Sequence, residues 1–246
     1  MRRFFIPSHT FTGNAVTITG DTFRHMVKVL RLKAGARLLL ANGEGQEAEG
    51  VIQRIDRESL IIALGETRPA QAAESGPRIT LYQGLPKGDK MDLIVQKSTE
   101  LGVAEIVPFL AARSVTRVRG EQAEERVARW QRIAQEAARQ SQRTSIPRVS
   151  LAGDLAAVLC QARNPVKLLL WEEERTNRLK EALASIPHPE SIAVIVGPEG
   201  GLSSEEAEAA RENGFCPISL GKRIVRTETA SLVILAILQF YWGDIG

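Results

Sequence analysis

The 246 residues, 43% hydrophobic and 25% charged, have the composition of a globular protein with room for more than one domain. The longest apolar run, 230–242, contains Ser231 and Gln239 and falls short of the ~20 residues that span a bilayer, so it reads as a buried helix and no membrane is expected as a partner. Net charge is only +3, but its distribution is uneven. The first residues carry no long apolar core and no cleavage-site pattern, which makes the cytoplasm the default compartment. Cys160 and Cys216 form no CxxC pair, and His9, His25 and His188 lack ligand-spaced partners, so neither a structural disulfide nor a metal is expected.

In chain order, residues 1–37 set Arg2, Arg3, Arg24, Lys28, Arg31, Lys33 and Arg37 against Asp21 alone. Strand-like pieces at 16–18, 37–41, 47–54 and 59–64, an Asn42-Gly43 hairpin signal and one helical stretch at 21–29 predict a small β-barrel domain. Residues 66–77 are polar, aperiodic and rich in Pro, Gly and Ala, which predicts a linker and a boundary between domains at 1–70 and 71–246.

Beyond the linker, apolar strands at 79–83, 105–109, 166–171, 192–197 and 218–220 alternate with helical patterns at 89–101, 121–142, 175–184, 204–213 and 229–241. That alternation predicts a parallel sheet covered by helices on both faces, with ligands beyond the carboxyl ends of its strands. In the helix at 121–142, Val127, Trp130, Ala134 and Ala137 should face the sheet. Arg132, Arg139 and Arg143 align on the other side if the helix continues, with Gln135 and Gln142 between them. Nine arginines against four glutamates at 113–148 suit phosphate contacts, although a solvated helix face explains the charge equally well.

Two loops hold ligand-binding chemistry. Gly197-Pro-Glu-Gly-Gly201 has neither GxGxxG spacing nor a GxxxxGK[ST] phosphate loop. Gly200 and Gly201 permit close backbone approach, Ser203 with Glu206 makes a capping box, and a purely structural turn remains the competing reading. The second loop, Gly221-Lys-Arg-Ile-Val-Arg-Thr-Glu228, sets Lys222, Arg223, Arg226 and Glu228 between a buried strand and an apolar helix. Thr227 or Glu228 can serve as a helix cap, and for Glu228 capping and catalysis weigh equally. The arginines serve recognition better than packing.

Together with Arg2-Arg3-Phe4, His25-Met-Val-Lys-Val-Leu-Arg31, Gln83-Gly-Leu-Pro-Lys-Gly88, Gln96-Lys-Ser-Thr-Glu-Leu-Gly102 and Glu136-Ala-Ala-Arg-Gln-Ser141, these loops make the chain resemble, almost end to end, a known family. It is that of the bacterial 16S ribosomal RNA (uracil-N3) methyltransferases of the SPOUT superfamily. The resemblance implies an N-terminal PUA-like RNA-binding domain and a trefoil-knotted α/β methyltransferase domain. Periodicity alone would not propose the knot, because knotted chains are rare. It further implies S-adenosylmethionine as cofactor, a homodimer, and methylation of N3 of a uridine in 16S ribosomal RNA or the small ribosomal subunit. Matched position by position, the cofactor contacts fall on Leu170, Trp171, Gly197, Glu199, Gly200, Gly201, Leu220, Gly221, Val225, Arg226 and Thr227. Arg226, Arg223 and Glu228 are the catalytic candidates, with Glu199 a second carboxylate able to take a proton. Arg2, Arg3, Lys28, Arg31, Arg132, Arg139 and Arg143 are the RNA-binding candidates. A ribose 2′-hydroxyl methyltransferase of the same superfamily and a non-catalytic RNA-binding assembly factor are the alternatives.

Overall fold

A computed structural model describes residues 2–7, 10–11, 13–70, 76–114 and 120–246. Residues 71–75 of the expected linker, His9, Arg117 and Arg119 lie outside the described residues. The chain divides into two compact units: Met1–Ala73 with Arg139–Ile146, and Glu74–Ala138 with Pro147–Gly246.

The first unit is a mixed sheet of β1 (Arg3–Phe5), β2 (Ala15–Thr19), β3 (Arg37–Ala41), β4 (Gln46–Ile55), β5 (Ser59–Leu64) and β6 (Arg68–Pro69). The strand order is β1-β3-β4-β5-β2, with β6 on β4. Helix α1 (Gly20–Arg24) runs on into a π-helical turn at His25–Val29. Period-2 alternation sends Val16 and Ile18 of β2 and Leu38 and Leu40 of β3 inward, where they meet Phe4, Phe23, Met26, Ile52, Leu60 and Ile62. The Asn42-Gly43 hairpin forms between β3 and β4, through a loop longer than two residues. Ala41 pairs with Glu47, and the longer loop is held by Asn42 Oδ1, which accepts from the Glu44 and Gln46 amides at 2.8 and 3.0 Å. The start of the expected linker is an edge strand, Arg68–Pro69, where a proline forfeits no ladder bond that the sheet needs. Strand β1 went unread because three residues carry too little pattern; it pairs in parallel with β3.

The second unit contains β7 (Arg78–Gly84), α2 (Lys90–Glu100), β8 (Glu105–Phe109), α3 (Glu121–Gln140, whose last two residues group with the first unit), β9 (Arg148–Val149), α4 (Leu155–Gln161), β10 (Val166–Leu170), α5 (Leu179–Ala184), β11 (Ser191–Val196), α6 (Ser204–Glu212), β12 (Cys216–Ile218) and α7 (Thr227–Trp242). All its strands pair in parallel, in the order β12-β10-β11-β7-β8-β9. Successive side chains serve opposite faces. Ile79, Leu81, Ile192, Val194, Leu168 and Leu170 pack with residues of α2, α3, α5 and α7. Tyr82, Val107, Phe109, Leu169, Ala193 and Ile195 pack with residues of α4 and α6. A strand buried on both faces must be apolar throughout, which is why β11 reads Ile192-Ala-Val-Ile-Val196. Strand β9 and helix α4 were not anticipated; α4 has its own cap, Asp154 accepting from the Ala157 amide at 3.0 Å.

At the carboxyl ends of β7 and β11 the backbones come close together. A Cβ at Gly84 would lie 2.5 Å from Pro198 Cδ and 2.6 Å from its nitrogen. Backbone cannot yield as a flexible side chain does, so Gly84→Ala should destabilise the protein by about 1–3 kcal/mol through overpacking. A wild-type urea unfolding midpoint for that variant would show that the two strand ends are not tightly apposed.

Candidate active site

The chain leaves β10, β11 and β12 at Leu170, Val196 and Ile218, and the three exits surround one cleft of about 320 Å³, within the range of small-molecule sites. Of the expected cofactor residues, Leu170, Trp171, Gly197, Glu199, Gly201, Leu220, Gly221, Val225, Arg226 and Thr227 all line it. Gly200 turns elsewhere: its carbonyl accepts from Arg113 Nη1 at 3.2 Å, and a Cβ on it would meet Arg113 at 3.1 Å. Pro198, Glu172, Arg175, Ile218, Ser219, Ile224 and Ala230 also line the cleft and were missed, because no local pattern ties them to it. Of the catalytic candidates, Arg223 and Arg226 line the cleft, whereas Glu228 stands just behind the wall in the first turn of α7.

Buried hydrogen bonds hold the cleft floor. The Thr227 hydroxyl donates to the Gly197 carbonyl at 2.6 Å and accepts from Gln83 Nε2 at 2.9 Å, while Ser231 Oγ donates to Gln83 Oε1. Gln83 and Ser231 are wholly buried and Thr227 nearly so. Thus β7, β11 and α7 meet through paired polar groups, as burial demands. Neither Thr227 nor Glu228 caps α7, contrary to one expectation. Arg226 occupies the N-cap position without a side-chain cap bond, and Thr227 spends its hydroxyl on Gly197 instead. The other capping expectation holds: Ser203 and Glu206 form a reciprocal box on α6, and Glu206 also accepts from the Ala112 amide at 2.8 Å.

The carboxylates differ in their surroundings. Glu199 accepts from Lys90 Nζ at 2.7 Å and from the Lys87 amide at 3.1 Å. Burial alone would raise its carboxyl, but the Lys90 hydrogen bond, backbone donors and the Lys90 charge together hold it below the usual value. Glu228 Oε2 is buried without a hydrogen-bond partner, 3.8 Å from Lys90 Nζ. Lys90 was missed in the sequence, where it reads as an ordinary charge at the start of a helix. Glu174 braces the chain beyond β10: its Oε1 accepts from the Thr176 hydroxyl at 2.7 Å and from the Thr176 and Asn177 amides at 2.8 and 3.0 Å. These bonds, the hydroxyl first, lower its carboxyl to about 2. Asn177 then ties to β12 through Pro217 O at 2.8 Å.

The expected arginine face does not form as drawn. Helix α3 ends at Gln140 and Gln142 takes φ +58°, so Arg143 leaves the helical register; it is buried, with Nη2 bonded to Ser145 Oγ at 3.1 Å. Arg139 donates to His25 Nε2 at 2.8 Å. Arg3 donates to the Gln142 and Arg143 carbonyls and pairs with Glu47 at 3.1 Å. Arg2, Lys28, Arg31 and Arg132 are exposed. Trp130, Ala134 and Ala137 are buried as expected, with Val127 packed beside the core. Among the described residues no group of three or more His, Cys, Asp or Glu is placed to hold a metal ion, and no helix is long and apolar enough to cross a membrane. Cys160 and Cys216 are both exposed free thiols.

Two stability measurements check this geometry. Thr227→Val removes the hydroxyl shared by Gly197 and Gln83, and should cost about 1–3 kcal/mol in chemical denaturation because buried polar groups lose their partner; an unchanged midpoint would contradict the network. For Glu174 the folded-state carboxyl lies below its unfolded value, so its contribution is fully present above about pH 4.5 and fades as pH falls towards 2. Glu174→Gln should therefore be less stable than wild type at neutral pH, the gap closing on acidification; a gap constant with pH would discount the carboxylate.

Residues 73–239 match the RNA methyltransferase domain family, and residues 18–64 match the RNA methyltransferase PUA domain. Ribosomal RNA small subunit methyltransferase E of Bacillus subtilis is 32% identical over 98% of this chain and 96% of its own length. The crystal structure of ribosomal RNA small subunit methyltransferase E from Neisseria gonorrhoeae bound to S-adenosyl methionine is 34% identical, covers both chains completely and superposes with a TM-score of 0.87. A methyltransferase of Legionella pneumophila solved with SAM is 31% identical over 98% of both chains, with a TM-score of 0.86. Matches of that extent, over a parallel sheet with its cleft at the strand ends and a mixed-sheet N-terminal unit, settle the family: the chain belongs to the RNA methyltransferases of the ribosomal RNA small subunit methyltransferase E type, with a PUA-like domain and an α/β RNA methyltransferase domain.

Proposed function

We propose that this protein methylates N3 of a specific unpaired uridine in 16S ribosomal RNA, using S-adenosylmethionine held in the cleft, and that it works in the cytoplasm as a homodimer. The observation that carries the reading is the convergence of ten of the eleven motif-matched cofactor residues on one cleft. The lining suits the cofactor. Leu170, Ile218, Leu220, Val225 and Ala230 offer apolar surface to an adenosine, the glycines at 197, 201 and 221 allow close backbone approach, and the indole Nε1 of Trp171 is buried without a hydrogen-bond partner. When bound, S-adenosylmethionine supplies an electrophilic methyl group on a sulfonium, the S–C bond breaking as the N3–C bond forms.

The chain's own residues must solve the acceptor's problem. Uridine N3 carries a proton at neutral pH and is unreactive until it is lost. The exposed guanidinium groups of Arg226 and Arg223 stabilise negative charge developing on the uracil carbonyls, and Glu228, behind the cleft wall, takes the proton through water. Glu199 is the poorer acceptor because Lys90 and the Lys87 amide already occupy its oxygens. N3 lies on the Watson–Crick edge, so the uridine enters unpaired or flipped out. Exposed Arg2, Lys28 and Arg31 on the N-terminal unit and Arg132 on the C-terminal unit contact RNA phosphates. Arg3, Arg139 and Arg143 have partners within the N-terminal unit.

The test is nucleoside mass spectrometry of small-subunit RNA that lacks the modification, incubated with the protein and methyl-labelled S-adenosylmethionine. Labelled N3-methyluridine is expected, and label in a ribose methyl would reassign the acceptor. Arg226→Ala should lower kcat on the order of a hundred- to a thousandfold, as removal of an anion-stabilising donor does; a folded variant with the wild-type rate would remove Arg226 from the chemistry.

A further inference from the structure

Lys90 is the first residue of α2, where the helix dipole disfavours a cation. The requirements of that helix therefore do not account for it, and its contacts lie elsewhere. Its Nζ donates to Glu199 Oε1 at 2.7 Å and lies 3.8 Å from Glu228 Oε2, an atom otherwise buried without a hydrogen-bond partner. Glu199 also accepts from the Lys87 amide. One ammonium thus joins three elements: the start of α2, the cleft wall formed by the loop after β11, and the first turn of α7. The Glu199 hydrogen bond holds Lys90 protonated above its ordinary range, with the Glu228 charge adding to it and burial and the Arg226 guanidinium opposing.

We propose that Lys90 is a positioning residue for methyl transfer: shared between Glu199 and Glu228, its ammonium fixes Glu199 in the cleft wall and aligns Glu228 to receive the N3 proton. The proposal rests on the methyltransferase reading above. It assigns unlike roles to the two carboxylates. Glu199 is the latch that ties the wall to the β7–α2 connection, and Glu228 is the acceptor, its position set by a cation that it only partly holds. Lys90 and Glu199 are partly exposed and their pair contributes little to global stability, so variants at Lys90 should remain folded, which circular dichroism checks.

The experiment pairs Lys90→Met with Lys90→Arg and reads two things. In the ligand-free protein, carbon-13 NMR of the side-chain carboxyls follows the titration of Glu199, which should rise towards the ordinary glutamate value in Lys90→Met and stay low in Lys90→Arg. In methylation of unmodified small-subunit RNA, Lys90→Met should lower kcat on the order of ten- to a hundredfold, as misplacement of a reacting group does. KM for S-adenosylmethionine should rise less than kcat falls, because freeing Glu199 loosens one side of the cofactor cleft whereas misplacing Glu228 acts on the transition state. Lys90→Arg should recover much of kcat. A Glu199 titration indifferent to Lys90→Met overturns the latch whatever the activity, and a wild-type kcat, or a loss confined to KM, overturns the positioning role. A wild-type protein that yields no N3-methyluridine overturns the function itself, and the ligand-free titration tells that failure apart from failure of the latch.

Discussion

The cleft depends on the hydrogen bonds that bind Gln83, Gly197, Thr227 and Ser231 into one buried cluster. In a low-dielectric interior each of these groups is costly unless paired, so the arrangement admits few alternatives. It joins the end of β7, the exit of β11 and the start of α7 at one point, and Gly84, which could not carry a Cβ there, lets the two strand exits approach. Where α7 begins is thus decided by a tertiary contact. Thr227 is held to Gly197, Arg226 takes the N-cap position, and the chain just before it, with Arg223 and Val225, forms a wall of the cleft. A loop of mostly exposed residues becomes well placed because Thr227, which follows it, is anchored in the core.

How much of this was legible follows from which residues answer to local rules and which to distant ones. The strands at 105–109 and 59–64 and the Ser203/Glu206 box are governed by periodicity and capping, and the structure reproduces them. Gln83 lay inside a recognised motif block, yet nothing local shows that its amide serves a residue 144 positions later. Lys90 was overlooked because a lysine in a polar stretch is ordinary; only the fold shows two carboxylates beside it. Strand β1 was lost because it is short, and Arg68–Pro69 because proline and alanine nearby gave a linker-like composition to what is an edge strand.

The arginines teach a different lesson. Seven-and-four spacing places Arg132, Arg139 and Arg143 on one face only while the helix lasts, and α3 stops at Gln140. Past that point the chain turns through Gln142 at positive φ, and Arg3 donates to the carbonyls freed there. Arginine is well suited to that work, because its fork of donors satisfies carbonyls and a carboxylate together. A cluster of arginines in sequence therefore divides into those that carry charge to solvent and those that fasten an irregular segment, and only burial and partners separate the two.

The same separation applies to the carboxylates. In sequence Glu199 and Glu228 are equivalent acids beside glycine-rich and basic loops. In the fold, Glu199 meets an ammonium and a backbone amide at hydrogen-bonding distance, and its carboxyl is held below the usual range, so it keeps its negative charge and binds protons weakly. Glu228 has one oxygen buried with only a longer-range cation near it. Two acids of one type are thereby placed by one lysine in unlike surroundings, and the difference comes from what surrounds each of them rather than from the residues themselves.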